Sequence, residues 1–260
     1  MTLWQGIILG LVQGVTEFLP ISSSGHLVLV EALTGIHFTD VTVEVSLHVA
    51  TLGSVLVVYG ARLWEIARGA LRGDGPSVRY AALLILATIP AGLIGVLFHR
   101  QIEEQFHSLV WVGIQFVITG VILWATRGSR GERTFPAPGA AVGIGFAQAF
   151  AILPAISRSG ATIAAALWAG LTPAAAADFS FLMAVPVIAG AAVLEGRQVV
   201  LNVAAVGALP WAVSFVVAFV GGIWSIKWLV ALLRRGRFHV FAPYCWIVGV
   251  LTLAYALWPA

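Results

Sequence analysis

Three short stretches of this chain concentrate side chains able to do chemistry. Gln13 and Glu17 stand four residues apart, a spacing that puts both on one face of a helix. A carboxylate there can take a proton or ligate a divalent cation. Mg²⁺ or Ca²⁺ would use oxygen ligands shared with the phosphates of a substrate. The string SSSGH sets Ser22, Ser23, Ser24 and His26 close together, hydroxyl nucleophiles beside a base or second nucleophile. In ISRSGAT, Arg158 lies among Ser157, Ser159 and Thr162, hydroxyls that can donate to phosphate oxygens around a guanidinium. The planar fork of that guanidinium suits phosphate better than a lone lysine would. Plainer roles exist for each: serines cap helices, Glu17 can pair with Arg158, and His26 can be a hydrogen-bonded structural imidazole.

The elements that must position these groups follow from composition. Of 260 residues, 60% are hydrophobic and only 10% are charged, whereas a soluble domain is about 25% charged. The mean hydropathy is +0.99. A water-soluble globule is excluded, and so is a disulfide scaffold, because Cys245 is the only cysteine. The net charge of +3 comes from Lys and Arg clustered between apolar runs. That is a topology signal and not a nucleic-acid surface, so no nucleic acid is expected. The amino terminus has neither a basic n-region nor a cleavage site and is read as part of the mature fold.

The fold class expected is an all-α polytopic membrane protein, a single integral membrane domain over residues 1–260. A spanning helix needs about 20 apolar residues. Six runs qualify: 41–59, 80–98, 109–125, 173–194, 203–226 and 239–258. Two stretches differ. Residues 139–153 and 161–170 flank the polar loop PAISRSG and are each too short to cross, so 139–170 reads as a re-entrant helix hairpin. Residues 2–35 have the same form around LPISSSG. Shifting by 135 residues aligns Gly10 with Gly145, Gln13 with Gln148, and ISSSG with ISRSG. The chain thus reads as two repeats, 1–138 and 139–260, each with one hairpin and three spans. Three is odd, so the second repeat enters from the opposite side, an inverted-topology repeat. A full span over residues 2–19 is the competing reading.

Loop charge orients the bundle. One side collects Arg62, Arg68, Arg72 and Arg79, then Arg127, Arg130 and Arg133, then Lys227, Arg234, Arg235 and Arg237; the other receives Arg100 and Arg197. The positive-inside rule places the basic loops in the cytoplasm and both termini outside. Arg158 is left at membrane depth. Irregular backbone survives there only where it lines a wet cavity or is buried in protein. The two polar loops should therefore meet near the midplane, each followed by a helix N-terminus that presents N–H donors to an anion. His48 with Glu44 reads as an interfacial pair, Asp178 as a cap or partner at the start of a span, and Gly6, Gly10 and Gly14 as a packing stripe.

The strings QGVTEFLPISSSGH and PAISRSGAT, with AAAADFSFLMAVPVIAGA after them, resemble the bacterial undecaprenyl-diphosphate phosphatases, the bacitracin-resistance proteins, over nearly the whole chain. The second family motif is usually Pro-Gly-x-Ser-Arg-Ser-Gly, and Ala155 replaces its glycine. The resemblance implies hydrolysis of undecaprenyl diphosphate to undecaprenyl phosphate and inorganic phosphate in the bacterial inner membrane, recycling the lipid carrier for cell-wall polymers. Bacitracin would compete by binding the substrate. Glu17, Ser23, His26 and Arg158 would be catalytic, with Ser22, Ser24, Ser157, Ser159 and Thr162 on the substrate and Gln13 with Glu17 on Mg²⁺ or Ca²⁺. Ser23, His26 and water all remain open as nucleophile, and a homodimer is left open. The competing classes are a secondary transporter or flippase, which shares inverted repeats with broken helices, and an intramembrane serine protease, which would not need a phosphate-type arginine.

Overall fold

A computed structural model describes residues 1–35, 41–129 and 131–258, the side chains of 41–42, 99, 103, 191 and 194–206 excepted. Arg130, counted above among the basic loop residues, lies outside the described residues, as does the Arg197 side chain. The described chain is helical: α1 (Leu3–Thr16), α2 (Ser23–Thr34), α3 (Val41–Leu71), α4 (Gly75–Leu97), α5 (His99–Phe106), α6 (Leu109–Trp124), α7 (Pro138–Phe150), α8 (Arg158–Trp168), α9 (Pro173–Val206), α10 (Ala208–Arg234), a 3-10 turn (Phe238–Phe241) and α11 (Ala242–Leu257). Among the described residues the sole β feature is an isolated bridge between Arg133 and Leu171.

Five helices are long and apolar enough to cross a bilayer, in α3, α4, α9, α10 and the 3-10 turn with α11; α5 and α6, bent by 93° at their junction, supply a sixth if counted together. The protein is a multi-pass membrane protein. Several boundaries differ from the apolar runs. α3 continues twelve residues past Tyr59, to Leu71, and α10 eight past Ile226, to Arg234, because Arg, Lys and Trp side chains reach the headgroup region without breaking helical hydrogen bonding. The run from Val203 is split: residues 203–206 finish α9, and Gly207, at φ +94°, turns the chain into α10. The segment around LPISSSG is two helices, of which α1 has 14 residues, about 21 Å against a hydrocarbon core of about 30 Å.

Polarity is distributed inside out relative to a soluble protein. Gln13, Thr51, Ser54, Gln148 and Ser159 are buried, while Trp4, Val96, Val193 and Trp258 are strongly exposed. The interior is built on Phe18, Phe179, Phe181, Leu182 and Met183, with Phe18 edge-on to Phe181 at 5.6 Å. α1 packs along α10, and α7 along α4. Glycines permit both approaches. A Cβ on Gly10 would stand 2.5 Å from the carbonyl oxygen of Ser214, and one on Gly145 2.5 Å from that of Ala87. α6 crosses α11 in the same way, with Gly113 facing Gly249.

The basic segments gather at one end. The Arg79 guanidinium lies 5.3 Å from the Phe135 ring centroid and that of Arg62 5.6 Å from Tyr80. Asp178 lies near the Tyr59 hydroxyl, Arg62 and Arg234, the partnership expected of a carboxylate at the start of a span.

Candidate active site

The two polar loops meet, and each braces the other. Ser22 Oγ donates to the carbonyl of Pro154 at 2.6 Å, and Ser159 Oγ to that of Leu19 at 3.2 Å. α6 holds the second loop from behind: Gln115 Oε1 accepts from the Ala155 amide at 2.9 Å, and Thr119 Oγ1 donates to the Ala155 carbonyl at 2.9 Å. Ala155, where glycine is usual, is buried and is not in a left-handed backbone conformation, so its methyl carries no strain. Ser22 does carry some, at φ +64°, the one positive φ outside glycine among the described residues. It caps α2, as Ser157 caps α8. Two helix N-termini therefore border one cavity of about 550 Å³, reached by Glu17, Ser22, Ser23, Ser24, Ser157 and Arg158.

Glu17 is the hub. Its Oε2 accepts from Ser23 Oγ at 2.5 Å and from Gln13 Nε2 at 3.1 Å, and its Oε1 pairs with Nη2 of Arg158. Nη1 of Arg158 is buried with no partner among the described residues. Serine, carboxylate and guanidinium thus bring a hydroxyl, a proton-accepting group and a hydrogen-bond donor for an anion to one space, a set able to support nucleophilic phosphoryl chemistry.

The structure separates other expected site residues from that space. His26 does not line the cavity. Its Nδ1 lies 2.6 Å from the Ser22 carbonyl, to which it donates, and its Nε2 2.7 Å from the Tyr244 hydroxyl. Both its nitrogens are engaged and its ring is edge-on to Phe116 at 5.2 Å, so the imidazole is tied to the serine loop, α6 and α11. Ser159 and Thr162 also lie behind the wall. Ser159 Oγ is shared with Leu19 and Ser157, and Thr162 Oγ1 with the Arg158 carbonyl at 2.7 Å and Ser180 at 2.6 Å.

An imidazole does reach the cavity, from a residue read above as interfacial. His48 Nε2 lies 3.7 Å from Glu17 Oε2, while its Nδ1 bonds the backbone carbonyl of Glu44 at 2.9 Å. An ionisable residue within a span is a functional candidate by default, and that was the available signal.

A divalent cation can be weighed against the donors present. Gln13, whose Nε2 donates to Glu17, has its Oε1 buried without a partner among the described residues. One anionic and one neutral oxygen match the small protein contribution Mg²⁺ takes when phosphates and water complete its shell. No cluster of three His, Cys, Asp or Glu exists among the described residues, so substrate oxygens would have to supply the remainder.

Comparison with known proteins places this geometry in context. The family described as bacitracin resistance protein BacA matches residues 6–251. A protein of Desulfatibacillum aliphaticivorans named undecaprenyl-diphosphatase is 41% identical over 269 residues, covering 95% of this chain and 96% of its own. Proteins of the same name from Carboxydothermus hydrogenoformans and Bacteroides fragilis are 40% and 39% identical, each over 97% of this chain and at least 97% of their own.

Proposed function

The chain belongs to the bacitracin resistance protein BacA family, and from that premise we propose that its polar cavity is the active site of an undecaprenyl-diphosphatase. The enzyme hydrolyses undecaprenyl diphosphate to undecaprenyl phosphate and inorganic phosphate. The observation that carries the assignment to this cavity is Ser23 Oγ at 2.5 Å from Glu17 Oε2 beside a partnerless Arg158 Nη1. Release of inorganic phosphate from undecaprenyl diphosphate by purified protein in detergent tests it; full release by Ser23→Ala would place the chemistry elsewhere.

In the proposed first step Ser23 Oγ attacks the terminal phosphorus and its proton passes to Glu17. The bond from that phosphorus to the bridging oxygen breaks, and undecaprenyl phosphate leaves as an anion needing no proton. Arg158 Nη1 and the amides opening α2 and α8 stabilise charge on the transferred group. In the second step water attacks the phosphoseryl phosphorus and yields a proton to His48; the bond from phosphorus to Ser23 Oγ breaks, Oγ regains the first proton from Glu17, inorganic phosphate leaves, and His48 passes its proton to solvent. Gln13 and Glu17 would hold Mg²⁺ or Ca²⁺, which when bound would neutralise diphosphate charge.

The same reading extends to topology. Two re-entrant hairpins, α1 with α2 and α7 with α8, and six spans in an inverted repeat are supported by the packing. Exchanging the halves converts the α1–α10 contact into the α7–α4 contact. Gly113 and Gly249, equivalent under nearly the same shift, face each other. The clustered basic end supports a cytoplasmic assignment for those loops and an external one for both termini, in the bacterial cytoplasmic membrane. Bacitracin would act on this enzyme by sequestering its substrate.

A further inference from the structure

The cavity is larger than a phosphoryl group requires, and its far part is built differently from the catalytic corner. Beyond Arg158 it runs between α4 and α9, and its wall there includes Thr88, Ala91, Gly92 and Gly95 of α4 and Gly190 of α9. These glycines are unlike those that let helices touch. A Cβ on Gly10 or Gly145 would strike a backbone carbonyl, whereas one on Gly92 or Gly190 would have nothing within 4 Å, and one on Gly95 only the tip of Ile152 at 3.8 Å. What their lack of side chains preserves is open cavity.

A second observation points to a ligand in the same place. Gln148, at the end of α7, lines this cavity and is 2% exposed, yet neither its Nε2 nor its Oε1 has a partner among the described residues. A buried primary amide with both ends unmatched is costly unless a ligand satisfies it.

We propose that this region is the leaving-group subsite: the Gln148 amide donates to the phosphate that stays on the lipid, and the bare face of α4 receives the first isoprene units. The inference rests on the diphosphatase reading above. The chemistry suits a product that must depart. A neutral amide orients an anionic phosphate without the strong ion pairing that would retain it, and a smooth apolar channel lets the chain slide back toward lipid.

The test uses full-length protein in detergent and a polyprenyl diphosphate carrying a benzophenone on its second isoprene unit. Photolabel is expected on α4 between residues 88 and 95 or on α9 between 186 and 190, and excess undecaprenyl diphosphate should remove it. Gly92→Leu and Gln148→Leu should each release phosphate from undecaprenyl diphosphate at least about tenfold more slowly. Gly143→Leu, on α7 away from the cavity and equally open around, should match the parent, which controls for adding a leucine to a helix. Label confined to other helices, or parental release by either cavity variant, overturns the subsite. Absence of phosphate release by the parent protein overturns the diphosphatase reading instead.

Discussion

Across a sequence separation of 141 residues Arg158 meets Glu17 through Nη2, leaving Nη1 buried with no hydrogen-bond partner among the described residues. One nitrogen holds the Glu17 carboxylate and the other is left to meet an anion, a division a lysine ammonium cannot reproduce. Arg158→Lys should therefore lower turnover at least about tenfold even though charge is kept, the scale of one lost transition-state donor. Phosphate-release kinetics check this; near-parental turnover in Arg158→Ala would show the arginine to be structural.

Glu17→Gln preserves shape but removes both the proposed proton acceptor and the carboxylate that would ligate a cation beside Arg158. Activity should fall by about a hundredfold or more. Chelator should abolish activity in the parent, with recovery on adding Mg²⁺ or Ca²⁺. Full phosphate release in excess chelator would eliminate the metal and leave Glu17 as base alone.

Covalent and direct hydrolysis separate at Ser23. Ser23→Ala should be inactive, because Glu17 then has no hydroxyl to deprotonate. His48→Gln should slow the second step, so that acid quenching of a reaction with substrate labelled in its terminal phosphate traps label on the protein. Label that never exceeds the parental level in His48→Gln would remove His48 from that step.

Gly145 should tolerate no side chain. Its Cβ would lie 2.5 Å from the Ala87 carbonyl oxygen, and overpacking of this kind costs about 1–3 kcal/mol. Gly145→Ala should lower the melting temperature in detergent, while Gly143→Ala, with open space around it, should not.

Cysteines introduced at positions 72 and 129 should react with impermeant thiol reagents only from the cytoplasmic side. Cys245 is buried beside the Pro20 carbonyl and gives little background. Labelling of both sites from outside would invert the orientation.

How far the sequence carries can be read from particular residues. That Glu17, Ser23 and Arg158 share one cavity was legible because they sit in two polar strings that apolar surroundings make conspicuous, and the two loops meet. The ends of α3 and α10 were not, since hydropathy marks where lipid ends and not where helical hydrogen bonding does. His26 and His48 exchanged prominence for a related reason. Nearness in sequence put His26 beside the serines, but its ring turns back to the Ser22 carbonyl and Tyr244. His48 comes from a separate helix, and only tertiary packing brings it to Glu17. Gln148 was visible as the repeat mate of Gln13, but its lack of a hydrogen-bond partner among the described residues is a property of the folded chain.

The left-handed Ser22 has a consequence for how the protein is made. Its backbone conformation is unfavourable for a serine, and the hydroxyl that helps hold it there reaches the Pro154 carbonyl. During synthesis that carbonyl does not exist until more than half the chain has left the ribosome. The brace between the two loops can therefore form only after the second loop has been made, so the Ser22 hydroxyl takes its final partner late in synthesis.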